Sequence, residues 1–162
     1  MSASIVSNRK VDTLLEEYGS SHQNKLNKTI HWICVPIIFF TIFGLVRSIP
    51  TPYIFNKIPY LSWASIVLVF ALIYYFTLSF PLTLGFILFG TIVTLGNEYL
   101  FSQGRIYLLI FSIITFVLAW IGQFIGHGVE GKKPSFLKDL QFLLIGPAWL
   151  MHFIYKKTGI KY

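Results

Sequence analysis

Three long runs contain no Asp, Glu, Lys or Arg: residues 29–46, 58–97 and 106–129. A helix crosses a bilayer with about 20 predominantly apolar residues. The 40-residue run at 58–97 is therefore too long for one crossing and fits two. Ser79-Phe80-Pro81 marks the break, because proline suits the first turn of a helix and disfavours helix in the residue before it. Four spans result, at about 29–47, 60–79, 81–99 and 105–126. Each must be helical, since an unpaired backbone group in hydrocarbon costs several kcal/mol. The sequence thus predicts an all-α integral membrane protein, residues 1–162 forming a single membrane domain. Residues 1–28 are expected to form a cytoplasmic N-terminal segment with a short helix.

A fifth apolar run, 140–155, has 16 uncharged residues interrupted by Gly146 and Pro147. It is short for a span and fits a re-entrant or interfacial helix, with a fifth crossing as the alternative. Charge favours the first choice. Four spans place Arg9, Lys10, Lys25, Lys28, Lys132, Lys133 and Lys138 on one side, against Arg47, Lys57 and Arg105 on the other. The richer side is cytoplasmic by the positive-inside rule. Lys156, Lys157 and Lys161 join it only if the last run folds back. The net charge of +7 is scattered around the ends of apolar runs, which fits a membrane surface and not nucleic acid. The N-terminus has no apolar core ahead of its charges, so no cleaved signal peptide is expected. A bacterial inner membrane and the endoplasmic reticulum both fit. Lone Cys34 lies in an apolar run and reads as a small buried hydrophobe.

This topology gathers the four histidines. His22 and His31 lie where the first span begins, and His127 where the fourth ends. An even number of crossings puts those places on one face, and His152 joins them if the last run returns. Neutral imidazoles at one depth can hold a transition metal. His22 and His31 are nine residues apart, so on one straight helix they would point in opposite directions. The chain must bend between them if both touch one ion. Gly19, Ser20, Ser21, Asn24 and Asn27 suit such a break, with Asn27 or Thr29 capping the first span. Gly126 and Gly128 flank His127 and allow close backbone approach or a helix end. Gln123 lies one turn before His127, and Glu130 would share its face if the helix continued. Asn27, Gln123, Glu130 and Lys132 are the candidate supporting or substrate-binding groups. Glu98 reads as interfacial at the opposite end. The tryptophans and tyrosines read mostly as packing or as an aromatic belt.

Tyr18, His22, Asn27, His31 and Pro36 in that spacing, followed by GQFIGHGVEGKKPSFLKDLQFLLIGP at 122–147, resemble the Mpo1-like family. The likeness runs from about residue 12 to 157. Fungal members carry a longer Gly-His-Gly-Val-Phe-Glu-type segment, and here Glu130 comes one position earlier. The Pro-Ala-Trp-Leu-Met-His ending is more similar to the bacterial branch. The resemblance implies an Fe(II)-dependent dioxygenase that shortens 2-hydroxy fatty acids by one carbon. It implies His22, His31 and His127 as iron ligands and catalytic residues, with weaker support for His152 as a fourth ligand.

The chemistry suits a membrane. Dioxygen and a fatty chain both partition into the bilayer, so a metal at headgroup level meets each of them. A carboxylate and the adjacent hydroxyl chelate iron through two oxygens, and three or four histidines leave positions for them and for O₂. Lys25, Lys28, Lys132 and Lys133 would draw an anionic head toward the site. Membrane lipids are the other expected partner. Two further readings fit the same residues: a non-catalytic lipid-binding or assembly protein with interfacial histidines, and a zinc site, for which four histidines would close the coordination.

Overall fold

A computed structural model describes residues 9–131 and 142–162, the Asn56 side chain excepted. Those residues form six α-helices and one short 3-10 turn, with no strand. The helices are α1 (Lys10–Ser20), α2 (Lys25–Arg47), α3 (Trp63–Leu78), α4 (Phe80–Ser102), α5 (Arg105–Val129) and α6 (Ile145–Thr158). The 3-10 turn, Tyr53–Lys57, lies between α2 and α3.

Local chemistry sets the boundaries. α1 buries Val11, Leu15 and Tyr18, a spacing that puts all three on one helical face. The chain then breaks for four residues before α2, as the separation of His22 from His31 requires. The cap of α2 is Asn24, whose side chain accepts from the Leu26 amide at 2.8 Å. Neither residue expected to cap it does so. Asn27 lies inside the helix and fully buried, and the Thr29 hydroxyl donates to the Lys25 carbonyl at 3.0 Å. α2 therefore starts four residues before the expected 29. Ser62 and Ser65 form a reciprocal capping box at the start of α3. Ser79, in extended conformation, separates α3 from α4, with Pro81 in the first turn beyond it. Gly104 joins α4 to α5 at φ 130°, a conformation that excludes a side chain.

α2, α4 and α5 are long and apolar enough to cross a membrane. α3 has 16 residues, about 24 Å at 1.5 Å per residue, against a hydrocarbon core of about 30 Å. α6 has 14 and is shorter still. The expected four crossings thus reduce to three helices of full length and one short apolar helix. Of the run expected at 140–155, residues 140 and 141 lie outside the described residues, and the helix begins at Ile145.

The long helices present their apolar side chains outward. Leu84, Leu88 and Ile92 of α4, and Ile110, Ile114 and Leu118 of α5, are all exposed. The interior combines an apolar core that includes Phe39, Phe86 and Leu108 with the polar Asn27, His31, Thr41, Asn97, Ser112, Gln123 and His127. Long helices that turn this many apolar side chains outward suit contact with lipid. The largest interface joins α2 to α5. It closes on small residues: a Cβ on Gly122 would stand 2.8 Å from Cys34 Sγ, and one on Gly126 2.5 Å from Asn27 Oδ1. α3 packs on α4, with Tyr75 stacked on Phe86 at 4.0 Å. α1 and α6 pack together across the end of the bundle where α2 begins, and Gly146 lets α6 close on Val35 and Tyr18.

Candidate metal centre

Three imidazoles converge where the α1–α2 linker, the start of α2 and the end of α5 meet. His22, His31 and His127 are 2, 1 and 5% exposed, and one ligand atom from each lies within 4.8 Å of the others. Ring centroids are 4.1 Å apart for His22–His31, 5.0 Å for His31–His127 and 5.5 Å for His22–His127. Two nitrogens bound to one ion at about 2.1 Å each stand at most about 4.2 Å apart. The ligand atoms, within 4.8 Å of one another, lie close to that limit.

Two of the rings are held by a carbonyl one helical turn back. His22 follows α1, and its Nδ1 lies 2.6 Å from the Tyr18 carbonyl one turn back. His31 makes the same contact inside α2, Nδ1 to the Asn27 carbonyl at 3.0 Å. A carbonyl oxygen only accepts, so Nδ1 carries the proton in both rings and Nε2 keeps its lone pair. That is the tautomer a metal needs, set by a backbone carbonyl behind the ring. The rings of His22 and Tyr18 stack at 4.4 Å, and Trp149 of α6 lies 5.3 Å from His22. In the sequence Trp149 reads only as packing or aromatic belt, and Tyr18 enters beyond that only through its place in the family motif. The one available signal was the spacing of Tyr18, a single helical turn ahead of His22.

Glu130 anchors the linker. Helix α5 stops at Val129, so the carboxylate does not continue on the His127 face. It turns instead toward the α1–α2 linker and accepts from the backbone amides of Gln23 and Asn24, both at 2.8 Å, and from Asn27 Nδ2 at 3.0 Å. Desolvation opposes its charge, but the bonds from Asn24, Asn27 and Gln23 outweigh it and hold the carboxyl below its ordinary value. Asn27 Nδ2 also donates to the Ser21 carbonyl at 3.2 Å, tying the linker to α2. Gln123 is buried one turn before His127, and with His31, Tyr18, Trp120 and Gly146 it lines a cavity of about 30 Å³.

The other expected residues lie elsewhere. His152 does not join the three rings. It is half-buried on α6 with Nδ1 against the Tyr162 hydroxyl. Desolvation and Lys156 lower its pKa, partly offset by Asp12. Lys132 falls outside the described residues. Glu98 pairs with Arg47, Nε to Oε1 at 2.5 Å. Arg47 is 16 residues beyond His31 on α2, about 24 Å along the axis, so the pair sits at the opposite end of the bundle.

Comparison with known proteins points the same way. The family described as "2-hydroxy-palmitic acid dioxygenase Mpo1-like" matches residues 8–158. A Saccharomyces cerevisiae protein named 2-hydroxy-palmitic acid dioxygenase MPO1 is 30% identical over 142 residues, covering 86% of this chain and 76% of the yeast protein. No solved structure matches the chain.

Proposed function

The chain belongs to the Mpo1-like family, and from that premise we propose that it is an Fe(II)-dependent dioxygenase that shortens 2-hydroxy fatty acids by one carbon at a membrane surface. The observation that carries the proposal is the set of three buried imidazoles with ligand atoms within 4.8 Å, two of them with Nδ1–H donating to a backbone carbonyl. This donor set fits a divalent transition metal. His22, His31 and His127 would hold iron, and three protein nitrogens leave positions for other groups. Iron(II) supplies the one-electron steps by which ground-state O₂ reacts with a closed-shell substrate. The overall change, R–CH(OH)–COOH + O₂ → R–COOH + CO₂ + H₂O, balances without an external reductant.

The chain's own groups have separable tasks. The Tyr18 and Asn27 carbonyls fix the tautomer and aim of two ligands. Tyr18 and Trp149 cover His22 and keep bulk water from it. Glu130 holds the linker that carries His22. Gln123 lines the cavity beside His31 and offers amide donors there to the polar head of a substrate. Lys25, exposed, and Lys28, half-buried, raise the local concentration of an anionic head.

The proposal includes four crossings, α2 to α5, with α6 at the interface and the histidines facing the cytoplasm. Parity supports this. Three crossings would leave the start of α2 and the end of α5 on opposite sides, yet Glu130 bonds the Gln23 and Asn24 amides. An even number of crossings would satisfy that contact, and α3 is the remaining apolar helix between.

The test is product analysis. Purified protein reconstituted anaerobically with Fe(II), then given O₂ and 2-hydroxypalmitate, should consume O₂ and release the fatty acid one carbon shorter, and Zn(II) should not substitute. Absence of metal binding under any reconstitution would leave a non-catalytic lipid-binding protein. Activity with Zn(II) alone would discard the redox reading.

A further inference from the structure

A second cavity opens beside the histidines, and nothing above assigns it. It lies between α2, α4 and α6, has a volume of about 310 Å³ and an almost wholly apolar lining. Val35, one turn after His31, walls both this groove and the small cavity that His31 lines. On α6 the adjacent residues Gly146 and Pro147 divide the same way, Gly146 on the small cavity and Pro147 on the groove. From there the groove follows α4 past Leu88 and Phe89 to Ile92. Gly85 keeps it open: a Cβ there would stand 2.3 Å from the Tyr155 hydroxyl and 3.2 Å from Met151 Sδ.

We infer that this groove seats the acyl chain of the 2-hydroxy fatty acid, with its carboxyl and hydroxyl end at the His22–His31–His127 cluster. The inference rests on the dioxygenase reading for the identity of the occupant. It commits to the substrate and not to a bilayer lipid because the groove shares Val35 with the cavity beside His31, whereas no residue of the equally apolar α3 lines that cavity. Transfer of a tail from bilayer to groove gains little by hydrophobicity, since lipid is as apolar as leucine. The groove's contribution is orientation. It fixes a chain that would otherwise diffuse in the leaflet so that its head meets the metal ligands, the effect that makes positioning a large share of catalysis. Leu88 and Ile92, each more than half exposed, can be enlarged without disturbing the core.

The probe is 2-hydroxypalmitate carrying a diazirine near its methyl end, photolysed with the full chain in phosphatidylcholine nanodiscs and mapped by mass spectrometry. Labelling should concentrate on residues 88–92, and excess unlabelled 2-hydroxypalmitate should suppress it at least tenfold. Leu88→Trp and Ile92→Trp should each reduce it at least tenfold. Phe70→Trp, on the outward face of α3, should leave it unchanged. Labelling spread over α3 and α5, or labelling that 2-hydroxypalmitate does not displace, overturns the assignment and identifies ordinary lipid contact. Labelling of the groove without turnover would remove the dioxygenase reading and leave the groove standing. Turnover with no groove labelling would do the reverse.

Discussion

A neutral imidazole has one proton for two nitrogens, and whichever nitrogen holds it decides what the ring can bind. At His22 and His31 Nδ1 holds it and donates to a backbone carbonyl, so both rings offer Nε2. His22→Ala, His31→Ala and His127→Ala should therefore each lower bound Fe(II), measured by elemental analysis of monodisperse protein, by at least the roughly ten- to hundredfold that loss of a supporting partner costs a metal site. His152→Ala should keep its iron, since that ring faces Tyr162. Glu130 belongs to the supporting class. Glu130→Gln loses the charge that three donors surround and should weaken iron binding about tenfold. The sign of its pH effect follows from a carboxyl held below its ordinary value. Its contribution to stability is present above the unfolded value of about 4.3 and disappears as pH falls through the lower folded value. Melting of apo protein should show wild type above Glu130→Gln from pH 5 to 7, the two converging below about pH 4. The convergence of His22, His31 and His127 was legible because counting crossings is enough to put helix ends together. The place of His152 was not, because it depends on how α6 lies across the bundle.

The α2–α5 pair sets how closely His31 and His127 approach. Its contact runs through Gly122 and Gly126, with Asn27 Oδ1 where a Gly126 Cβ would be. Asn27 cannot easily yield, since its amide is tied to Ser21 and Glu130. Gly126→Ala should cost about 1–3 kcal/mol by overpacking and also loosen the metal, read as a lower melting temperature together with weaker iron binding. Gly128→Ala is the control: nothing lies within 4 Å of its Cβ position and its φ is ordinary, so the melting temperature should stay put. The helices themselves were legible from the charge-free runs, and the Ser79–Pro81 break from proline chemistry. Their ends were less so. The sequence offers Asn27 or Thr29 as the cap of α2, whereas the cap is Asn24, Asn27 being buried inside the helix beside Gly126 and Thr29 bonding back to Lys25. The end of α4 at Ser102, past the expected 99, lies beyond the Glu98–Arg47 pair, which keeps a charged residue inside the helix.

At the scale of the whole molecule, parity and thickness pull against each other at α3. The proposed four crossings put Glu130 on the same side as the Gln23 and Asn24 amides that it accepts from, while α3 covers only about 24 Å of a core of about 30 Å. A bilayer thins locally around a short helix for fractions of a kcal/mol per Å, whereas breaking the linker would dismantle the histidine cluster. If all four helices cross, the membrane must adapt to α3. In a Cys34→Ser background, which removes the single native thiol, Lys10→Cys and Lys156→Cys should react with an impermeant maleimide only when the cytoplasmic face is open to it. Tyr53→Cys, in the turn between α2 and α3, should react from the other side. If Tyr53→Cys labels from the same side as Lys10→Cys, α2 does not cross and the fourfold scheme fails. If Lys156→Cys labels with Tyr53→Cys, α6 lies across the membrane and the return of the chain to the histidine face is lost. Thickness adds a check that accessibility alone lacks. Activity of reconstituted protein should decline as lipid chains lengthen beyond what α3 can match, because a bilayer that no longer thins enough must pull on the Ser79 break and, through α4 and α6, on the wall beside His31.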